Sequence, residues 1–109
     1  LLPGEMSKPI VWSRRSLNDL RKVYDFHVAS SGLKVADKIV ANILDKADLL
    51  ESNKFDYSHI GSVDESFSHL KYSYRKLIEG HYKITYRIGR GKIYIVRIFD
   101  TRQNPNKNK

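Results

Sequence analysis

One stretch near the C-terminus constrains the fold more than any other. Tyr82, Ile84, Tyr86 and Ile88 alternate with Lys83, Thr85 and Arg87. A period of two puts the first set on one face of a β-strand and the second on the other, so one face is apolar and one cationic. Gly80-His81 before it and Gly89-Arg90-Gly91 after it read as tight turns. The segment upstream, which carries Arg75, Leu77 and Ile78, is therefore a preceding antiparallel strand. Downstream, Ile93, Ile95 and Phe99 fall on one face of a last strand by parity, and Val96 and Ile98 on the other. Apolar residues on both faces predict an interior position in the sheet.

A three-stranded meander cannot bury its apolar side alone, and the first half of the chain supplies the cover. Leu17, Leu20, Val23, Tyr24 and Val28 recur at helical spacing. Ser13 or Ser16 caps this helix, and Ser16-Leu17-Asn18-Asp19 reads as a variant capping box. Ser30-Ser31-Gly32 ends it. A second helix carries Val35, Ala36, Ile39, Val40, Ile43, Leu44, Ala47 and Leu50 on one side and Lys34, Asp37, Lys38, Asp45, Lys46 and Asp48 on the other. So short a connection predicts an antiparallel helical hairpin. Pro9-Ile10-Val11-Trp12 reads as a short edge strand, and residues 52–67 as a loop rich in Ser, Asp, Asn and Gly. The expected class is α+β: an N-terminal strand, a two-helix hairpin, then a three-stranded antiparallel meander with the helices on one sheet face.

Charge narrows the choice of partner. Residues 1–54 hold 9 Lys and Arg against 7 Asp and Glu, whereas residues 55–109 hold 11 against 5. The excess of the net +8 charge therefore sits on the sheet and tail, which suits nucleic acid, a ribosome or an acidic protein. A merely soluble basic surface is the rival reading. With no cysteine, disulfides, thiolate metal sites and cysteine nucleophiles are excluded. No run approaches the roughly 18 apolar residues of a membrane span, and no signal peptide is evident, so the expected location is cytoplasmic, without membrane association. No nucleotide-binding glycine motif, nucleophile elbow or carboxylate pair is present, and the four histidines show no ligand spacing. No metal and no cofactor are expected.

The run Tyr74-Arg75-Lys76-Leu77-Ile78-Glu79-Gly80-His81-Tyr82-Lys83-Ile84-Thr85-Tyr86-Arg87-Ile88, closing on Ile98-Phe99-Asp100-Thr101-Arg102-Gln103-Asn104-Pro105 and preceded by two amphipathic helices, resembles the RelE/ParE family of bacterial toxins. These are the toxic halves of type II toxin–antitoxin modules, often called plasmid stabilisation proteins. The resemblance implies a single RelE/ParE-like domain over residues 9–105, with 1–8 and 106–109 as flexible ends. It also implies an acidic antitoxin as partner, laid over the hairpin or the sheet, and allows a toxin dimer within the complex.

The resemblance also marks residues. Family members carry an arginine at the place of Arg75, and in the RNA-cleaving members it binds the scissile phosphate. They often carry another at the place of Arg102, also catalytic in those members. A guanidinium fork matches two phosphate oxygens and stays charged. The rival readings are a solubilising strand arginine for Arg75 and an Asp100–Arg102 pair that stabilises the chain end for Arg102. Lys71, Lys83 and Arg87, with Arg97, complete a basic set for nucleic-acid or target binding. Lys83 and Arg87 share a strand face by parity. His81, at a turn, is a weak candidate for proton transfer, and exposure is its commoner role. Five sheet tyrosines, Tyr72, Tyr74, Tyr82, Tyr86 and Tyr94, suit base stacking or half-buried strands.

Ribosome-dependent ribonuclease members usually place a Tyr or His after the last arginine. Here the tail is Gln103-Asn104-Pro105-Asn106-Lys107-Asn108-Lys109, with neither. Cleavage through a 2′-hydroxyl needs a base, an acid and phosphate stabilisation. The gyrase-poisoning ParE branch needs no such set and resembles this chain in Leu77-Ile78-Glu79-Gly80 followed by Tyr82 to Tyr86. Growth arrest through DNA gyrase is thus the leading expectation. A metal-independent, ribosome-dependent mRNA endoribonuclease is the alternative, and a non-toxic basic nucleic-acid-binding module is the third reading. One fold hosts both toxin activities, so family membership does not settle the target.

Overall fold

The computed structural model describes residues 8–51, 62–63 and 74–102. Strand β1 (Ile10–Trp12) leads into helix α1 (Arg14–Ser31) and helix α2 (Leu33–Asp48), which ends in a 3₁₀ turn at Leu49–Glu51. Strands β2 (Ser62–Val63), β3 (Arg75–Glu79), β4 (Tyr82–Ile88) and β5 (Ile93–Asp100) follow. They form one sheet in the order β1-β5-β4-β3-β2. The meander β3-β4-β5 is antiparallel, as the two glycine turns predict, and β1 sits at the edge. Pairing of β1 with β5 is parallel, which makes the sheet mixed. The short strand β2 lies inside the stretch read as loop. Two residues opposite Lys76 and Arg75 are too few to show a period. No helix among the described residues is long and apolar enough to cross a membrane.

The core lies between the hairpin and one face of the sheet. Leu77, Tyr82, Ile84, Tyr86, Ile93, Ile95 and Ile98 from the sheet meet Val23, Ile43, Ala47 and Leu50 from the helical side. Ile10, Trp12, Leu20 and Ile39 pack around the margin. Gly32 joins the helices at φ 95°, a conformation that side-chain-bearing residues rarely adopt, while its N–H donates to the carbonyls of His27 and Val28. The outer side of the hairpin keeps apolar residues in solvent: Leu17, Val35 and Leu44 are all exposed.

Strand β5 departs from its sequence pattern. Tyr86 stands opposite Ile95 but Thr85 stands opposite Arg97, so the strand carries an extra residue, a β-bulge at Val96. A bulge reverses parity. Ile98, opposite Ile84, therefore joins Ile93 and Ile95 in the core, whereas Phe99, opposite Lys83, faces away from it. Parity alone assigned Phe99 and Ile98 to the reverse faces.

The same strand shows where Asp19 goes. Strand β1 covers β5 only from Ile93 to Ile95. Beyond that, α1 closes the edge with side chains. Ser13 Oγ donates to the Val96 carbonyl at 3.2 Å, and the Ile98 N–H donates to Asp19 Oδ2 at 2.9 Å. Arg97 adds Nε to Asp19 Oδ2 at 2.7 Å and Nη2 to Oδ1 at 3.3 Å. Asp19 thus serves the sheet rather than a capping box. Ser13 caps the helix, accepting from the Ser16 N–H at 3.0 Å, and Ser16 Oγ donates back to the Ser13 carbonyl.

The Asp19 and Arg97 side chains are only 11% and 16% exposed. Removing one partner strands a charge and a backbone donor in poorly solvated surroundings. Asp19→Ala is expected to lower unfolding free energy by about 2–4 kcal/mol in urea titration, and Asp19→Asn by clearly less, because its carbonyl still accepts from Ile98. Equal losses in the two variants would show that the Ile98 bond contributes little.

Candidate functional site

The basic residues expected to act together fall into three groups. Lys83, Thr85 and Arg87 lie on the sheet face away from the helices, opposite Phe99, Arg97 and Tyr94 respectively. On this face cations rest on rings. Arg87 stands 4.2 Å from the Tyr94 centroid, Arg97 4.3 Å from that of Phe99, and Lys83 5.2 Å from the same ring. The Tyr94 ring also crowds Gly89. A Cβ there would meet Tyr94 Cε2 at 2.6 Å, so only glycine admits the stack without displacement. Parity placed Lys83 and Thr85 on a solvated face, yet both are buried. The aliphatic stem of Lys83 and the cation–ring contact make that burial tolerable.

Arg75 lies elsewhere. It pairs with Tyr86 across β3 and β4, on the core side of the sheet, half-buried. Burial pushes the Tyr86 hydroxyl up from its ordinary pKa, and the adjacent Arg75 guanidinium opposes the shift. This arginine is thus the neighbour of a fully buried tyrosine.

Arg102 is at the far end, just past β5. Its Nε donates to Asp100 Oδ1 at 3.0 Å and its Nη2 to Oδ2 at 2.9 Å, a bidentate pair. The Arg102 N–H reaches Oδ1 as well, at 2.9 Å. Thr101 ties the turn down, donating through N at 2.7 Å and Oγ1 at 2.8 Å to the His81 carbonyl. Tyr82 stands opposite Asp100, and its hydroxyl lies 2.7 Å from His27 Nε2. The hydroxyl also neighbours the Arg102 guanidinium. Burial raises the Tyr82 pKa, Asp100 adds to this, and Arg102 opposes it, so the hydroxyl stays protonated at neutral pH. His27, Asn42, Glu79, His81, Tyr82 and Arg102 together border a cleft of about 180 Å³ between the hairpin and the β3–β4 turn, with Ile39 and Ile43 at its back.

The structure thus brings His81 and Arg102 to one cleft, Lys83 and Arg87 to the opposite sheet face, and Arg75 to neither. Lys71 lies outside the described residues. Sequence reasoning named the Asp100–Arg102 pair but missed that Tyr82 and His27 border the same cleft as Arg102. The spacing Asp100-x-Arg102 is a readable signal for the ion pair, but nothing local announces that His27 meets a tyrosine 55 positions later.

A two-helix hairpin on one face of a small mixed sheet, with basic residues on the strands and at the chain's last turn, is the architecture of the RelE/ParE toxins. The family profile described as the ParE toxin of the type II toxin-antitoxin system, parDE, matches residues 10–105, and the chain belongs to that family. It is the toxin component of a type II toxin–antitoxin system. A solved chain described as the chromosomal ParDE TA system from P. aeruginosa shares the fold, with a TM-score of 0.71 and 24% identity over 87% of this chain and 97% of that one. By sequence, no curated protein matches.

The Arg102 guanidinium holds the Asp100 carboxyl below the usual carboxylate range. A carboxyl with a lowered folded-state pKa stabilises the fold above its unfolded pKa of about 3.9, and that contribution disappears as pH falls through the lowered value. Asp100→Asn is therefore expected to be less stable than wild type near pH 6, with the gap narrowing near pH 3, in urea titrations at both. An unchanged gap would show that Asp100 gains nothing from its partner's charge.

Proposed function

We propose that the chain arrests growth by inhibiting DNA gyrase. One observation carries the choice over RNA cleavage. The two arginines that a ribonuclease would bring to one phosphate are set beside Tyr86 and Tyr82, four residues apart along β4. At the strand rise that is roughly 14 Å of backbone, with Arg75 turned to the core side and Arg102 held by Asp100. Residues 103–109 also hold no Tyr or His. Membership of the ParE toxin family supports the same reading.

The second reading, a ribosome-dependent mRNA endoribonuclease, draws on the nearness of His27, Tyr82 and Arg102. Tyr82 is only 6% exposed and its pKa is raised, a poor placement for a base that must reach a ribosome-held strand. The third reading, a basic nucleic-acid module without toxicity, draws only on charge.

The antitoxin is proposed to be acidic. Its apolar segment would lie on the outer hairpin, where Leu17, Leu20, Tyr24 and Val40 line a shallow groove, and its carboxylates would meet the sheet and tail cations.

Induced expression in a bacterial host is expected to stop growth, with DNA-damage signalling and intact mRNA, and co-expression of the antitoxin to relieve it. Purified protein should inhibit gyrase supercoiling. Early codon-positioned cuts in translated mRNA, without double-strand breaks, would reverse the order of the two readings. Undisturbed growth at confirmed soluble expression would contradict both.

A further inference from the structure

Arg102 is half exposed, yet it is held from several sides. Its backbone is fixed by the Thr101 bonds to His81 and by its own N–H to Asp100. Its fork is fixed by two bonds to the Asp100 carboxylate. Guanidinium has five N–H donors, and the Asp100 carboxylate engages two, so those not turned toward Tyr82 keep a set direction toward a ligand. Tyr82 stands on the neighbouring strand, directly across from Asp100, with its hydroxyl beside the guanidinium. A cation there draws the oxygen lone pairs toward itself. With its lone pairs so engaged, the hydroxyl is set to donate to Nε2 of a neutral His27 in the Nδ1–H tautomer, 2.7 Å away. The chain of contacts thus runs from α1 through β4 to the turn after β5.

We propose that Asp100, Tyr82 and His27 are positioning residues that hold the Arg102 guanidinium in the orientation in which it meets the toxin's target. The proposal rests on the reading that Arg102 contacts that target. An arginine that only kept the chain end soluble would need no such set, because an exposed guanidinium is well solvated by water alone. One that must bind an acidic or phosphorylated surface gains from being ordered beforehand, since less freedom is lost on contact. The planar fork makes that order directional, which a lysine at the same position could not reproduce. His27 is the remote member. It touches no part of Arg102 and acts by fixing which way the Tyr82 hydroxyl points.

The test uses the full chain in two assays that do not depend on which target is right. The first is growth arrest titrated against measured protein level. The second is the Nε–H resonance of Arg102, whose exchange with water reports how firmly the guanidinium is held. Tyr82→Phe removes the hydroxyl and keeps the ring. His27→Leu removes the acceptor, and His27→Gln returns one. Tyr82→Phe and His27→Leu are each expected to raise the protein level needed for arrest about three- to tenfold and to speed exchange of the Arg102 Nε–H. His27→Gln should recover most of both losses. Thermal unfolding and antitoxin binding identify any variant that fails to fold, and if His27→Leu fails, Tyr82→Phe carries the test. Arg102→Ala separates the two layers. If it is inactive while Tyr82→Phe retains full potency and slow exchange, the positioning proposal is wrong and the role of Arg102 stands. If Arg102→Ala retains full potency, both fall.

Discussion

The carboxylate of Asp19 at the edge of β5 is the contact on which the rest of the arrangement depends. Strand β5 is eight residues long, and β1 covers only three of them. Past the bulge at Val96 the strand edge would present unpaired backbone groups, which are costly to leave unsatisfied beside a core. Asp19 supplies an acceptor to the Ile98 N–H and an anion to Arg97 together. One side chain therefore fixes the height of α1 on the sheet. His27, eight residues further along the helix, lies about 12 Å down its axis at the helical rise, level with Tyr82. The final strand ends at Asp100 with its face assignments reversed by the bulge, and the arginine two residues on reaches back to that carboxylate. Helix height, strand parity and the placement of Arg102 are linked through this one edge.

Much of this was legible in the residues. The alternation from Tyr82 to Ile88, bounded by Gly80 and Gly89, predicts the central strand. The stripes from Leu17 to Val28 and from Val35 to Leu50 predict the hairpin, and Gly32 its turn. These features are local, and local periodicity records which face is buried. What was not legible is what depends on register between distant segments. The bulge at Val96 has no glycine or proline to mark it, so parity sent Phe99 and Ile98 to the wrong faces. Asp19, three residues after a serine, looks like a capping partner, and only the third dimension shows that its partner is a strand. Lys83 and Thr85 alternate with apolar residues as a solvated face should, yet both are buried, Lys83 with its ammonium over the Phe99 ring.

The candidate site was legible in part. Arg102 and its pairing with Asp100 follow from two positions of spacing. Arg75 looked equivalent to it in sequence, because both are strand-associated arginines in a basic half. The structure separates them: one sits beside a fully buried tyrosine at the far end of β4, the other at a cleft with a tyrosine, two histidines and an asparagine. A toxin that works by binding a large enzyme can use such dispersed basic residues as separate contacts, since each adds to an interface on its own. A nuclease needs them on one phosphate. The dispersal of these residues, more than their number, orders the proposed mechanisms.

The central physical claim, that α1 closes the edge of β5 and so fixes the strand end that carries Arg102, is tested most directly by native-state hydrogen exchange at the Ile98 amide. With the Asp19 bond in place, this amide should exchange only on global unfolding, as slowly as those of the strand interior. In Asp19→Ala it should become the fastest amide of β5 while β4 stays protected. Exchange of Ile98 in the wild-type protein at the rate of an exposed loop amide would contradict the account.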